Sequence, residues 1–89
     1  MICSDTLYPS LGRHFKSQTE LANAANKSRD YMWRCLTGRR EFTRADKKAI
    51  SAHIITELLR SKSYDYQDLE NAMSAYEGDF DEIYKVKTA

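Results

Sequence analysis

Ser28, Arg29, Asp30, Trp33, Arg34 and Thr37 recur at spacings that put them on one side of a helix, with Met32, Cys35 and Leu36 on the other. A buried stripe behind an outward face of arginines, hydroxyls and an aromatic ring supplies hydrogen-bond donors for base edges and positive charge for phosphates. Those are the two demands on a helix lying in the major groove of DNA. An ordinary amphipathic helix with a solvated face would use the same residue types, so the segment around it has to decide. Beyond Gly38, which reads as a helix stop, Arg39 and Arg40 are placed to reach phosphates, although a solvated basic loop would look the same. No catalytic arrangement accompanies these residues. His14 and His53 have no carboxylate or thiol at ligand spacing and read as surface or packing histidines. Cys3 and Cys35 form no CxxC, and neither a glycine-rich phosphate loop nor a nucleophile–base pair is present. The sequence therefore predicts no catalytic residue, no metal, no cofactor and no enzyme.

The elements that must position this face are legible in the preceding residues. Ser17 can cap a helix whose apolar side carries Leu21, Ala22 and Ala25. Ala22 is small where two helices joined by a short turn must approach closely. Asn26 can take the left-handed conformation that ends a helix, Lys27 continues the turn, and Ser28 can cap the second helix, with Asp30 adding negative charge to its first turn.

The whole stretch QTELANAANKSRDYMWRCLTG resembles the helix-turn-helix of the lambda-repressor/Cro-like (Xre-type) family, without a gap from Gln18 through Leu21-Ala22, Ala25, Ser28-Arg29, Met32 and Cys35 to Gly38. Arg13-His14-Phe15-Lys16-Ser17 before it and Arg39-Arg40 after it also resemble the small Cro-type proteins of temperate phages. Two positions depart from the family pattern: Asn26 replaces the usual turn glycine, and Lys27 replaces a usually apolar residue that pins the turn. The resemblance covers residues 6 to 60 and implies an all-α fold, a small four- to five-helix lambda-repressor-like domain. It also implies that Gln18, Ser28, Arg29, Asp30, Trp33, Arg34, Thr37, Arg39 and Arg40 face double-stranded DNA.

Composition sets the frame for these readings. Eighty-nine residues with 42% hydrophobic and 30% charged side chains make one small globular unit without room for a cleft between domains. No apolar run approaches membrane-spanning length and no signal-peptide pattern is visible, so the sequence predicts a cytoplasmic protein with reduced cysteines. The formal net charge of +1 conceals an asymmetry. Residues 1–62 hold twelve Lys/Arg against six Asp/Glu, a net +6, and residues 63–89 hold two against seven, a net −5. The first part, a helix-turn-helix DNA-binding domain over 1–62, attracts a polyanion. The acidic helix and tail over 63–89 must face solvent, pair with basic residues or contact another protein.

Along the chain, a short first helix is expected, capped by Ser4 or Asp5 or else beginning near Tyr8 with Pro9 in its first turn, and carrying Leu7, Leu11 and Phe15. Phe42 reads as a core anchor. Thr43 to Leu59 is the clearest helix, capped by Thr43 with Asp46 reaching back. Its apolar residues make two stripes, Ile50-Ile54-Leu58 and Ile55-Leu59, one more than a single core needs. Ser61 to Tyr64 reads as a break, followed by a helix with Tyr66, Leu69, Met73 and Tyr76 at helical spacing, closed before Gly78. Residues 79–89, with Phe80, Ile83 and Val86, stay open between a last helical turn, an edge strand and an arm on a partner.

The leading functional reading is a sequence-specific DNA-binding transcriptional regulator of Cro/repressor type that blocks a promoter as a homodimer. The dimer is expected through Ile55, Leu59, Tyr66, Leu69, Met73 and Tyr76, because one recognition helix reads too few base pairs to specify a site. Packing of the C-terminal third onto its own helix competes with that expectation. A different class of reading is a small protein-interaction factor, such as a phage inhibitor of a host protein, which keeps the scaffold and binds through the acidic, tyrosine-rich tail.

Overall fold

In the computed structural model, which describes residues 6–85, all regular structure is helical and the described residues contain no strand. The α-helices are α1 (Gln18–Ala25), α2 (Arg29–Leu36), α3 (Arg44–Arg60), α4 (Tyr66–Ser74) and α5 (Phe80–Tyr84). None is long and apolar enough to cross a membrane.

The expected first helix is a five-residue 3-10 turn over Pro9–Arg13 instead of an α-helix. Pro9 has no N–H to donate and can stand only in a first turn, while Gly12 gives up more backbone freedom than other residues, so a longer helix has little to sustain it. The turn closes with the N–H groups of His14 and Phe15 both donating to the Leu11 carbonyl, at 3.0 and 3.1 Å. It still delivers Leu11 and Phe15 to the core, whereas Leu7 is half-buried. The Leu7 N–H donates to the Leu36 carbonyl at 2.8 Å, which straps the N-terminal segment to the end of α2. Ser4, Asp5, Cys3 and Val86 lie outside the described residues.

Helix α3 is the central element and opens with the capping box anticipated for it: Thr43 Oγ1 accepts from the Asp46 N–H at 3.1 Å and Asp46 Oδ2 from the Thr43 N–H at 3.3 Å. Of one stripe, Ile50 and Ile54 are fully buried and Leu58 is half-buried; of the other, Ile55 is half-buried and Leu59 remains 59% exposed. Helix α4, capped by Asp65, packs along α3 and buries Ala72 rather than its larger residues. Small side chains let two helices approach, and Tyr66, Met73 and Tyr76 are left flanking the contact in solvent.

A π-type turn over Ala75–Asp79 then redirects the chain, with Gly78 at φ 141°, a conformation that a side chain would oppose. Of the three forms left open for the last segment, the chain takes the helical turn, α5. Phe80 and Tyr84 enter the core there: the Phe80 ring lies 5.2 Å from Tyr84, 5.7 Å from Tyr8 and 5.9 Å from Phe42. Residues on both sides of the 62/63 boundary thus share one hydrophobic core.

Candidate nucleic-acid interface

Helix α1 is capped by Ser17, whose Oγ accepts from the Glu20 N–H at 3.2 Å, and its Leu21, Ala22 and Ala25 are buried. It ends at Asn26, φ 57° and ψ 45°, in the left-handed region. The Asn26 N–H donates to the Asn23 carbonyl at 3.1 Å and the Lys27 N–H to Ala22 at 2.9 Å, the paired bonds of a Schellman stop. Asparagine tolerates this conformation well enough to stand where glycine is easier. Two residues later Ser28 Oγ accepts from the Tyr31 N–H at 3.1 Å and α2 begins.

The end of α2 repeats the device. Gly38 has φ 84°, its N–H donates to the Cys35 carbonyl at 3.3 Å, and the Arg39 and Arg40 N–H groups both reach the Arg34 carbonyl, at 2.8 and 3.1 Å. A Cβ on Gly38 would stand 2.9 Å from Leu7 Cδ1, a side-chain end that can shift, so the left-handed conformation is the stronger demand for glycine. Arg39 and Arg40 are thereby tied to the last turn of α2.

Met32, Cys35 and Leu36 of α2 are buried, and Arg29, Asp30, Trp33 and Arg34 are exposed, as the spacing predicts. Several of these side chains already have partners. Arg34 Nη2 pairs with Asp30 Oδ2 at 3.1 Å, and the Arg39 guanidinium carbon lies 4.6 Å from the centre of the Trp33 ring, which is 40% exposed. The Ser28 hydroxyl is engaged as a cap, and Thr37 Oγ1 donates to the Trp33 carbonyl at 2.7 Å, which points both hydroxyls back into the helix. Gln18, at the first position of α1, is half-buried.

Sequence reasoning missed the group behind this face. Tyr31 is half-buried on α2, and its hydroxyl donates to Asp46 Oδ2, a carboxylate only 2% exposed. That bond pushes the Tyr31 phenol above its ordinary range, with burial adding to it. Lys27 Nζ stands 3.8 Å from Asp46 Oδ1 and 5.3 Å from the Tyr31 ring centre, and the Arg40 guanidinium carbon covers the same ring at 4.8 Å. The turn is therefore pinned by a charged contact: Lys27 is anchored on a buried carboxylate from α3. The signal available in the sequence was the conjunction of a lysine in the turn between α1 and α2 with an acid in the first turn of α3. The Cys35 thiol beside this group is free, buried and pushed up by that burial.

The six residues expected at a dimer contact come together on another side of the molecule. Ile55, Leu59, Leu69, Met73 and Tyr76 line one groove of about 280 Å3, with Glu77 at its edge. Tyr66, 74% exposed, borders an adjoining hollow with Leu69 and Met73. The histidines serve packing: His53 stacks on Phe15 at 5.3 Å between ring centres, and His14 stands edge-on to Tyr84 at 6.4 Å. Burial lowers the His14 pKa below its ordinary value and raises the Tyr84 phenol to about 12. Among the described residues no group of three or more potential ligands could hold a metal ion. Neither family models, nor curated proteins, nor solved structures give a match to this chain.

Proposed function

We propose that this protein is a sequence-specific regulator that binds double-stranded DNA through α2 and represses transcription by occupying a promoter, in the manner of the Cro-like regulators its sequence resembles. The observation that carries the reading is α2 itself. It is a short helix stopped and capped at both ends, buried along Met32, Cys35 and Leu36, and presenting Arg29, Trp33 and Arg34 outward with Arg39 and Arg40 tied to its last turn. Arginine forks suit guanine edges, the Trp33 ring suits thymine methyls and sugars, and the loop arginines suit phosphates. Twofold pairing through the groove of Ile55, Leu59, Leu69, Met73 and Tyr76 would present two such helices to adjacent half-sites.

Binding-site selection from random duplexes, followed by gel shifts across a salt series, tests the reading. A selected palindromic site and an affinity that falls steeply with salt are expected. Absence of salt-dependent binding to any duplex would remove it. The exposed apolar groove with Glu77 at its edge favours a second reading, a factor that binds another protein through its C-terminal third. That reading is preferred if a folded monomer shows no DNA affinity.

A further inference from the structure

The first two turns of α3 carry Arg44, Lys47 and Lys48 at spacings of three and four, which puts three cations on one face of the helix. They border a cleft of about 330 Å3 between α3 and the π-type turn, floored by the buried Ala75 and Phe80. Tyr76 and Gly78 form its other side, where nothing lies within 4 Å of the place a Cβ of Gly78 would take.

For an isolated helix this arrangement is unfavourable. Like charges three and four residues apart repel, and Arg44 stands in the first turn, at the positive end of the helix dipole. Asp46, the acid of that turn, directs its carboxylate elsewhere, to Thr43, Tyr31 and Lys27. Lys47 is satisfied by Asp81 at 2.9 Å, and Asp81 is itself held by the Tyr8 hydroxyl at 3.4 Å. Arg44 and Lys48 have no carboxylate within ion-pair reach among the described residues; the Lys48 ammonium rests 5.6 Å from the Tyr76 ring centre instead. Glu77 lines the cleft without pairing with either.

We propose that this cleft binds a phosphate group, with Arg44 and Lys48 as its principal partners and Lys47, fixed by Asp81, as its rim. A guanidinium fork and an ammonium one helical turn apart can hold several oxygens of one anion, which fits a phosphate better than a carboxylate. An anion there would also relieve the repulsion along α3. The phosphate could come from a free phosphorylated molecule or from a nucleic-acid backbone, and the recognising chemistry is the same. The inference does not rest on the DNA reading.

Inorganic pyrophosphate is the probe, titrated into the full chain at constant ionic strength and followed by amide chemical shifts. Saturable shifts at Gly78, Lys47 and Lys48 are expected. The Arg44→Gln/Lys48→Gln variant should weaken binding about tenfold or more, and Glu77→Gln should strengthen it. The double variant relieves repulsion between exposed charges and gives up the Lys48–Tyr76 contact, so its thermal midpoint should stay within a few degrees of the parent's. Duplex binding separates the sources. A salt slope lower by about two in the double variant points to a nucleic-acid phosphate, and an unchanged slope with pyrophosphate still bound points to a free one. Absence of saturable shifts at millimolar pyrophosphate together with an unchanged slope overturns the proposal, as do equal shifts in parent and double variant. The pyrophosphate arm needs no DNA, so loss of the DNA reading leaves it standing.

Discussion

Replacing Asp46 by alanine should unfold the joint between α2 and α3 before it harms any other part of the domain. The carboxylate, 2% exposed, accepts the Tyr31 hydroxyl and the Thr43 N–H at 3.3 Å, and lies 3.8 Å from Lys27 Nζ. A hydrogen bond to a charged acceptor is worth about 1.5–3 kcal/mol. Tyr31 is half-buried and its hydroxyl can turn to water, so the low end applies. The Thr43 N–H adds about 0.5–1 kcal/mol. Lys27, with its side chain 40% exposed, adds less than about 1 kcal/mol. Relief of the cost of burying a charge offsets part of this, leaving a net loss of about 2 kcal/mol. In a domain of this size such a loss lowers the thermal midpoint by roughly 8–16 °C. Urea and thermal unfolding of Asp46→Ala, Tyr31→Phe and the double variant supply the assay. The cycle should return a coupling of about 1 kcal/mol between the two side chains. Additive singles, or an Asp46→Ala variant within about 0.5 kcal/mol of the parent, would refute the argument that a buried carboxylate pins the turn.

Four further expectations are open to direct measurement. Arg29→Ala or Arg34→Ala should cost about 1–3 kcal/mol on the selected operator and relax preference at one position, whereas Arg39→Ala or Arg40→Ala should weaken all duplexes and lower the salt slope by about one. Ala22→Leu should overpack a position that is 2% exposed and cost about 1–3 kcal/mol by urea titration. Met73→Glu should convert a dimer into a folded monomer by light scattering and remove the twofold footprint; unchanged mass at micromolar concentration contradicts pairing through the groove. Burial holds His14 below its ordinary pKa of 6.5, so the unfolded chain binds the extra proton and stability falls as pH drops below 6.5. His14→Gln should lose less stability than the parent over that fall, measured by urea titration at each pH.

What the sequence made legible was whatever depends on residues close together in the chain. The caps at Ser17, Ser28 and Thr43, the left-handed stop at Asn26, the stop at Gly38 and the buried stripe of α2 each follow from neighbours within one or two turns. Leu7, expected on the first helix, instead precedes a 3-10 turn and is held by a strap to Leu36 beside Gly38, both remote in sequence. In α4 the periodicity of Tyr66, Leu69, Met73 and Tyr76 is real, yet helix approach selects small residues, and Ala72 and Ala75 hold the inner positions. Lys27 stood out in the sequence only as a departure from the resembled pattern, because its partner, Asp46, belongs to α3. The phase of α4 and the charged pin are both properties of packing between elements, which no local pattern encodes.

The opposed charges of the two segments acquire a physical use from the same packing. Arg13 pairs with Asp68 at 3.2 Å and Lys47 with Asp81 at 2.9 Å, so acids of the C-terminal third neutralise bases of the first part within one chain. Both pairs join the N-terminal segment or α3 to α4 and α5, and neither draws on a residue of α2 or of the loop after it. Of the cations at that end, Arg34 alone has a carboxylate partner within ion-pair reach among the described residues, and that partner, Asp30, lies on the same helix. Folding thus quenches Arg13 and Lys47 while Arg29, Arg39 and Arg40, like Arg44 and Lys48 on α3, keep no carboxylate partner among the described residues, a distribution that would favour a polyanion on the face of α2 and the start of α3. The exposed pairs are worth little to stability and are screened by salt. Their contribution is to the orientation of the field.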